Sequence, residues 1–212
     1  MDYCSFIPVA NVLLDPSSVR PLVWTDHRLA LLVAVFVPLT LLIWSWVKKA
    51  DAISALLTIY WRVALLLPIT VYLMIGGLSI SFITVLLAKL LIVASLWFWA
   101  DLNEEIREQP KKSLNLGFNA WRWAMTAYCA VSGVLQLLFI PCAFSKATLA
   151  SDACQLWLEP ALAFKDIFHS GEPDGSGFLA FFGVVGLIIY GLYLAYFLFV
   201  KLGRQGRSAL NQ

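Results

Sequence analysis

Few side chains in this chain could do chemistry, and the most unusual ones lie where charge is costly. Arg62 and Lys89 each sit inside a long apolar stretch that holds no Asp or Glu. The two stretches are joined by Gly76-Gly77-Leu78-Ser79. At ~1.5 Å per helical residue, Arg62 lies ~21 Å and Lys89 ~18 Å from that turn. In a hydrocarbon core of ~30 Å both fall near mid-depth. Ionisable residues at that depth mark a site unless their stems let the charge snorkel to an interface. Three readings follow. The counter-charge comes from a partner subunit, a lipid phosphate or a cofactor carboxylate. The two cations snorkel towards the inner face. Or they form the anion or substrate site of a small transporter or channel component. The first ranks highest, because no intramembrane acid is available to relay protons or bind sodium.

Other candidates are weaker. His27 and His169 lie outside the apolar runs, which excludes a bis-histidine haem between spans and a His-rich metal site. Together with Gln136 they are candidate pigment ligands, with chlorophyll or carotenoid as the group to consider. A surface imidazole is the blander account of each histidine. Asp101, Glu104, Glu105 and Glu108 form an acidic cluster, but Arg107, Lys111 and Lys112 are interleaved with it or follow it, as in a solvated loop. No Gly-x-Ser-x-Gly elbow occurs. The expectation is a non-catalytic protein that requires no cofactor or metal. The net charge of +2 is not gathered into a basic, aromatic-laced patch, so nucleic acid is not an expected partner.

The elements that must position these residues are hydrophobic helices. The chain is 61% hydrophobic and 13% charged, about half the charged fraction of a soluble domain. Apolar runs predict an all-α polytopic bundle of five spans at about residues 28–47, 53–75, 78–100, 118–140 and 178–200. They form one membrane domain over 28–203, preceded by an arm over 1–27 and followed by a tail over 204–212. Pro8, Pro16 and Pro21 argue against a long helix in the arm. Thr25-Asp26 reads as the cap of the first span. Pro38 and Pro68 predict kinks. A loop over 141–177 carries an amphipathic stretch at Gln155–His169.

Orientation follows from the basic residues. Lys48, Lys49, Arg107, Lys111, Lys112, Arg122, Lys201, Arg204 and Arg207 fall on one side; Arg20, Arg28, Lys146 and Lys165 fall on the other. The richer side is expected to be cytoplasmic, with the N-terminus outside and the C-terminus inside. Cys142 and Cys154 share the outer loop. There a disulfide can persist and would contribute on the order of 3 kcal/mol to the order of the loop. Two free thiols are the alternative. Cys129 reads as a small packing residue. Small residues four apart are candidates for close helix contact: Ala120 with Ala124, Cys129 with Gly133, and Gly191 with Ala195, with Gly183 and Gly186 upstream.

Three stretches carry a resemblance: Leu22-Val23-Trp24-Thr25-Asp26-His27-Arg28-Leu29-Ala30, Ile59-Tyr60-Trp61-Arg62-Val63-Ala64, and Leu96-Trp97-Phe98-Trp99-Ala100-Asp101-Leu102-Asn103-Glu104-Glu105-Ile106. Over about residues 20–205 the chain resembles a small multi-span membrane protein family of cyanobacteria of unknown function. The resemblance implies residence in a thylakoid or plasma membrane and supplies no catalytic residues. It points to an accessory or assembly partner of a photosynthetic membrane complex, in contact with lipids and other integral subunits.

Overall fold

The computed structural model describes residues 16–108, 113–169 and 175–202. The arm over 1–15, the Lys111-Lys112 pair, most of the polar turn after His169 and the tail over 204–212 lie outside the described residues. Those described are almost wholly helical, with no strand among them. The elements are α1 (Pro16–Ala30), a π segment (Leu31–Phe36), α2 (Val37–Val47), α3 (Asp51–Ala64), α4 (Leu66–Ile75), α5 (Ile80–Trp97) and α6 (Ala100–Glu108). Then come α7 (Ser113–Leu137), a 3₁₀ turn (Ile140–Ala143), α8 (Lys146–Leu149), α9 (Asp152–Phe168), α10 (Gly175–Tyr196) and a second π segment (Phe197–Leu202).

Four stretches are long and apolar enough to cross a membrane: Val19–Val47, Asp51–Ile75, Ile80–Trp97 and Ser176–Val200. The 25-residue α7 runs through the same bundle, but it carries a polar stripe. Asn115, Arg122, Ser132 and Gln136 are all buried on one face, at alternating three- and four-residue steps with Phe118, Met125 and Cys129. Arg122 is held there by Asn103 and by the Trp97 ring, whose centroid is 4.0 Å away.

The first span corrects the sequence expectation. Residues 16–30 are already helical, so residues 16–27 belong to the bundle and Asp26 caps nothing. Pro21 costs one backbone bond near the helix end, and Val19 and Val23 pack almost completely buried into the cluster around Trp157 and Leu158. Tertiary burial outweighs the local penalty.

Pro38 acts inside this span through its absent N–H. It leaves the Ala34 carbonyl without a helical donor, and the Val37 N–H reaches back to Leu32 O, which frees the Val33 carbonyl as well. Both are satisfied from neighbouring helices: Tyr60 Oη donates to Ala34 O at 2.6 Å and Trp121 Nε1 donates to Val33 O at 2.8 Å. Pro68 similarly interrupts the second span at Leu65, between α3 and α4. There Tyr190 Oη donates to Val63 O at 3.3 Å.

The closest helix pair is α4 with α10. A Cβ on Gly183 would stand 3.0 Å from Leu73 N, one on Gly186 3.3 Å from Ile69 Cγ1, and one on Gly76 would collide with Ala180. The other small-residue pairs behave differently. Ala120, Ala124 and Gly191 are exposed, and Gly191 has open space where a Cβ would go. Spacing of four residues marks a face but not its direction, and these faces point away from the bundle. Gly133 is buried with Leu86 at an ordinary distance, and Cys129 is buried as a packing residue.

Candidate functional site

Lys89 lies on α5, 5% exposed. A helical side chain leans towards the helix N-terminus, which for α5 is the Gly76–Gly77 end. There Lys89 Nζ donates to Ser132 Oγ of α7 at 2.5 Å and to Ser132 O at 3.4 Å. The Ser132 hydroxyl donates onward to Asp26 Oδ1. Asp26 Oδ2 is 3.9 Å from Lys89 Nζ. Tyr128 Oη, one turn before Ser132, donates to the Asp26 carbonyl at 3.4 Å. Three helices thus meet at an internal ion pair bridged by a hydroxyl.

This overturns the expectation that the Lys89 counter-charge lies outside the chain. Asp26 supplies it, because α1 enters the bundle 12 residues earlier than the hydrophobic run suggested. An acid therefore does stand among these helices, where none was expected.

Arg62 is placed differently. It is exposed on α3, and its guanidinium has no hydrogen bond or ion pair among the described residues. The two cations are therefore not one site.

Beside the ion pair is a cavity of about 370 Å³. Asp26, His27, Lys89, Tyr128 and Thr70 are the polar residues of its lining besides its tryptophans and Tyr72. Its other walls are apolar and aromatic, including Trp61, Tyr72, Trp157 and Phe164. Both helix breaks face it, through Ala34 and Val35 on one span and Ala64, Leu65 and Pro68 on the other. Irregular backbone at membrane depth is tolerated where it lines such a space. Leu31 and Leu65 line the cavity and are also 42% and 56% exposed, so it opens sideways between α1–α2 and α3–α4.

Helix α9 closes the Gly76 end of this space. Its place is fixed by three independent ties. Cys142 and Cys154 are joined in a disulfide, with Cα atoms 6.0 Å apart. Arg20 Nε pairs with Glu159 Oε2 at 3.0 Å, and Trp24 Nε1 donates to the same oxygen at 3.3 Å. Phe139 and Trp157 stack with centroids 4.6 Å apart.

The proposed pigment ligands are dispersed. His27 lines the cavity. His169 is not in the cavity lining; its ring stands against Tyr72 and Phe164, and its buried Nδ1 has no partner among the described residues. Gln136 is fully buried one turn beyond Ser132, and neither of its amide atoms has a partner among the described residues. Among the described residues no three His, Cys, Asp or Glu side chains cluster as metal ligands. Contrary to the expectation of no Ser-x-x-Lys spacing, one is present, Ser45-x-x-Lys48. Ser45 is buried and donates to Leu42 O at 2.8 Å, while Lys48 is exposed in the following turn. The two do not form a nucleophile and base.

The architecture defines a helical protein with four stretches long and apolar enough to cross a membrane and an internal polar cluster beside a mostly apolar cavity. Over residues 20–210 the chain matches the family described as a protein of unknown function, DUF3177, and it belongs to that family. No curated protein and no solved structure matches it.

Proposed function

We propose that this chain is a non-catalytic integral membrane protein that holds a lipid-soluble ligand in the cavity between its first two spans. The observation that carries the reading is the cavity itself: mostly apolar and aromatic walls with a few polar groups among them. That is the usual build of a small-molecule site. A lateral mouth suits a ligand that arrives from the bilayer. In this reading α7 is a fifth span, the Lys48–Lys49 end faces the cytoplasm and the disulfide end faces outward. The membrane is that of a photosynthetic bacterium, thylakoid or plasma, and the protein is an accessory or assembly partner of a complex there. Purification in mild detergent, followed by solvent extraction, absorbance and mass spectrometry, tests it. A lipid, carotenoid or chlorophyll recovered in stoichiometric amount, and lost in Ala30→Phe, supports the reading. Empty protein with unchanged extracts sinks it.

Arg62 favours a second reading, compatible with the first. It leans towards the Asp51 end of α3, yet stands 11 residues from it, ~16 Å at helical rise. Its stem cannot cover that depth by snorkelling alone. A carboxylate on a partner helix would neutralise it. Affinity purification of Arg62→Leu should lose a membrane partner that the parent retains; an unchanged partner set would rule this out.

A further inference from the structure

Resting on the cavity reading above, we propose that the ligand is an anionic glycerolipid of the leaflet at the Lys48–Lys49 end. Its phosphate sits on Arg62, and one acyl chain passes through the lateral mouth into the cavity. Arg62 is exposed, and its guanidinium has no hydrogen bond or ion pair among the described residues. It shares the outward side of α3 with Asp51, Ser54 and Thr58, at three- and four-residue steps. The two hydroxyls need nothing from outside, because Thr58 Oγ1 donates to Ser54 O at 2.8 Å and Ser54 Oγ donates to Asp51 O at 2.9 Å. Asp51 opens the helix, ~16 Å from Arg62 at helical rise, too far to neutralise it. This face therefore calls for one anion at one place. A phosphate meets a guanidinium there with two parallel charge-assisted hydrogen bonds.

Depth makes a lipid the bearer of that phosphate. The Arg62 side chain leans towards the Asp51 end, and its stem carries the charge part of the way to the headgroups. Local thinning of the bilayer brings a phosphate down to meet it. Lys48 and Lys49, exposed at the same end, add to the attraction for an anionic leaflet.

The order of residues along the span selects the leaflet and the path of the chain. From the Lys48–Lys49 end come Arg62, then Leu65 at the mouth, then Pro68 and Val71 in the cavity wall. A lipid of that leaflet runs in the same order, headgroup first and tail towards the midplane. A lipid of the opposite leaflet runs the other way, so that its headgroup would lie far from Arg62. From Arg62 to Pro68 is ~9 Å at helical rise, and the tails of one leaflet span half of a ~30 Å core. One chain thus reaches the cavity while its headgroup holds Arg62. A carboxylate on a partner helix would neutralise Arg62 and leave the cavity unfilled, whereas a lipid does both.

The test uses the full chain in uncharged maltoside micelles. One probe is a phosphatidylglycerol with a photoactivatable diazirine at the end of one acyl chain. The other is a galactosyl diacylglycerol with the same chains and no phosphate. Peptide mass spectrometry reads where each label lands, and gel filtration establishes that each variant is folded. Phosphatidylglycerol is expected to label cavity-lining residues, and the uncharged probe about tenfold less, the worth of one hydrogen bond to a charged group. Arg62→Gln should bring the phosphatidylglycerol label down to the uncharged level and leave the uncharged probe as it was. Ala30→Phe, which fills the cavity wall, should remove the cavity label from both. If the two probes label equally, or Arg62→Gln changes nothing, the phosphate inference is overturned and the cavity reading survives. If Arg62→Gln instead loses a protein partner with the lipid label intact, the counter-charge is a carboxylate and the inference is likewise overturned. If neither probe labels the cavity, the inference is overturned, and the extraction experiment above decides the cavity reading separately.

Discussion

Lys89 and Arg62 are one charge each on neighbouring spans, and the bundle treats them in opposite ways. Lys89 points into a three-helix junction, where Ser132 and Asp26 meet it. Arg62 points out of the bundle, with no such partner among the described residues. The difference shows that a charge at membrane depth is not by itself a site. Its meaning depends on which helix face carries it and what the facing helices bring. Lys89 is bound into the fold, and the cavity beside it inherits a neutral polar wall. Arg62 stays on the exposed face of its helix.

This contrast can be broken by mutation. Lys89→Leu should give the largest loss, about 3–5 kcal/mol, because it leaves the Asp26 carboxylate largely buried and uncompensated. Denaturant unfolding in micelles would measure it. Adding Asp26→Leu should recover most of the loss; a double variant as unstable as the single one would show that the pair does not act as a unit. Next in size is Gly183→Leu, expected to cost about 1–3 kcal/mol by wedging α4 from α10. Gly191→Leu, on open surface, should stay within about 0.5 kcal/mol. Equal effects at the two glycines would contradict the packing described. Tyr60→Phe should cost about 1–2 kcal/mol through the stranded Ala34 carbonyl, read as a lower midpoint with an unchanged helical circular dichroism signal. Arg62→Leu is the smallest: stability within about 0.5 kcal/mol, with any effect confined to partner binding. A loss as large as that of Lys89→Leu would erase the distinction between the two sites.

The helices themselves were largely readable from the sequence. The runs at 53–75, 78–100 and 178–200 agree closely with Asp51–Ile75, Ile80–Trp97 and Ser176–Val200. Hydrophobic length is a local property and survives without knowledge of neighbours. The site was not readable, for two physical reasons. Prolines at 16 and 21 argued locally against helix, whereas burial of Val19 and Val23 decided the matter from elsewhere in the chain. Asp26 was thereby left in an arm, far from the lysine it neutralises. Counting residues also gives depth but not azimuth. The small-residue pairs Ala120–Ala124 and Gly191–Ala195 fit the spacing rule, yet Ala120, Ala124 and Gly191 are exposed. A better signal was present on α7: polar residues at heptad-like steps, from Asn115 through Arg122 to Gln136. In a helix facing lipid, a polar stripe is the side that turns inward.

The disulfide between Cys142 and Cys154 has a consequence for biogenesis. Such a bond persists only in a compartment that does not reduce it. A copy inserted upside down would present both thiols to the reducing side and leave α9 without its staple. For a loop closed over 12 residues that forfeits about 3 kcal/mol. On the orientation proposed above, the bond would favour the copy whose α9 end lies on the non-reducing side. Non-reducing gels of newly made protein should show the oxidised form accumulating in the long-lived pool; a reduced form that survives equally long would refute it.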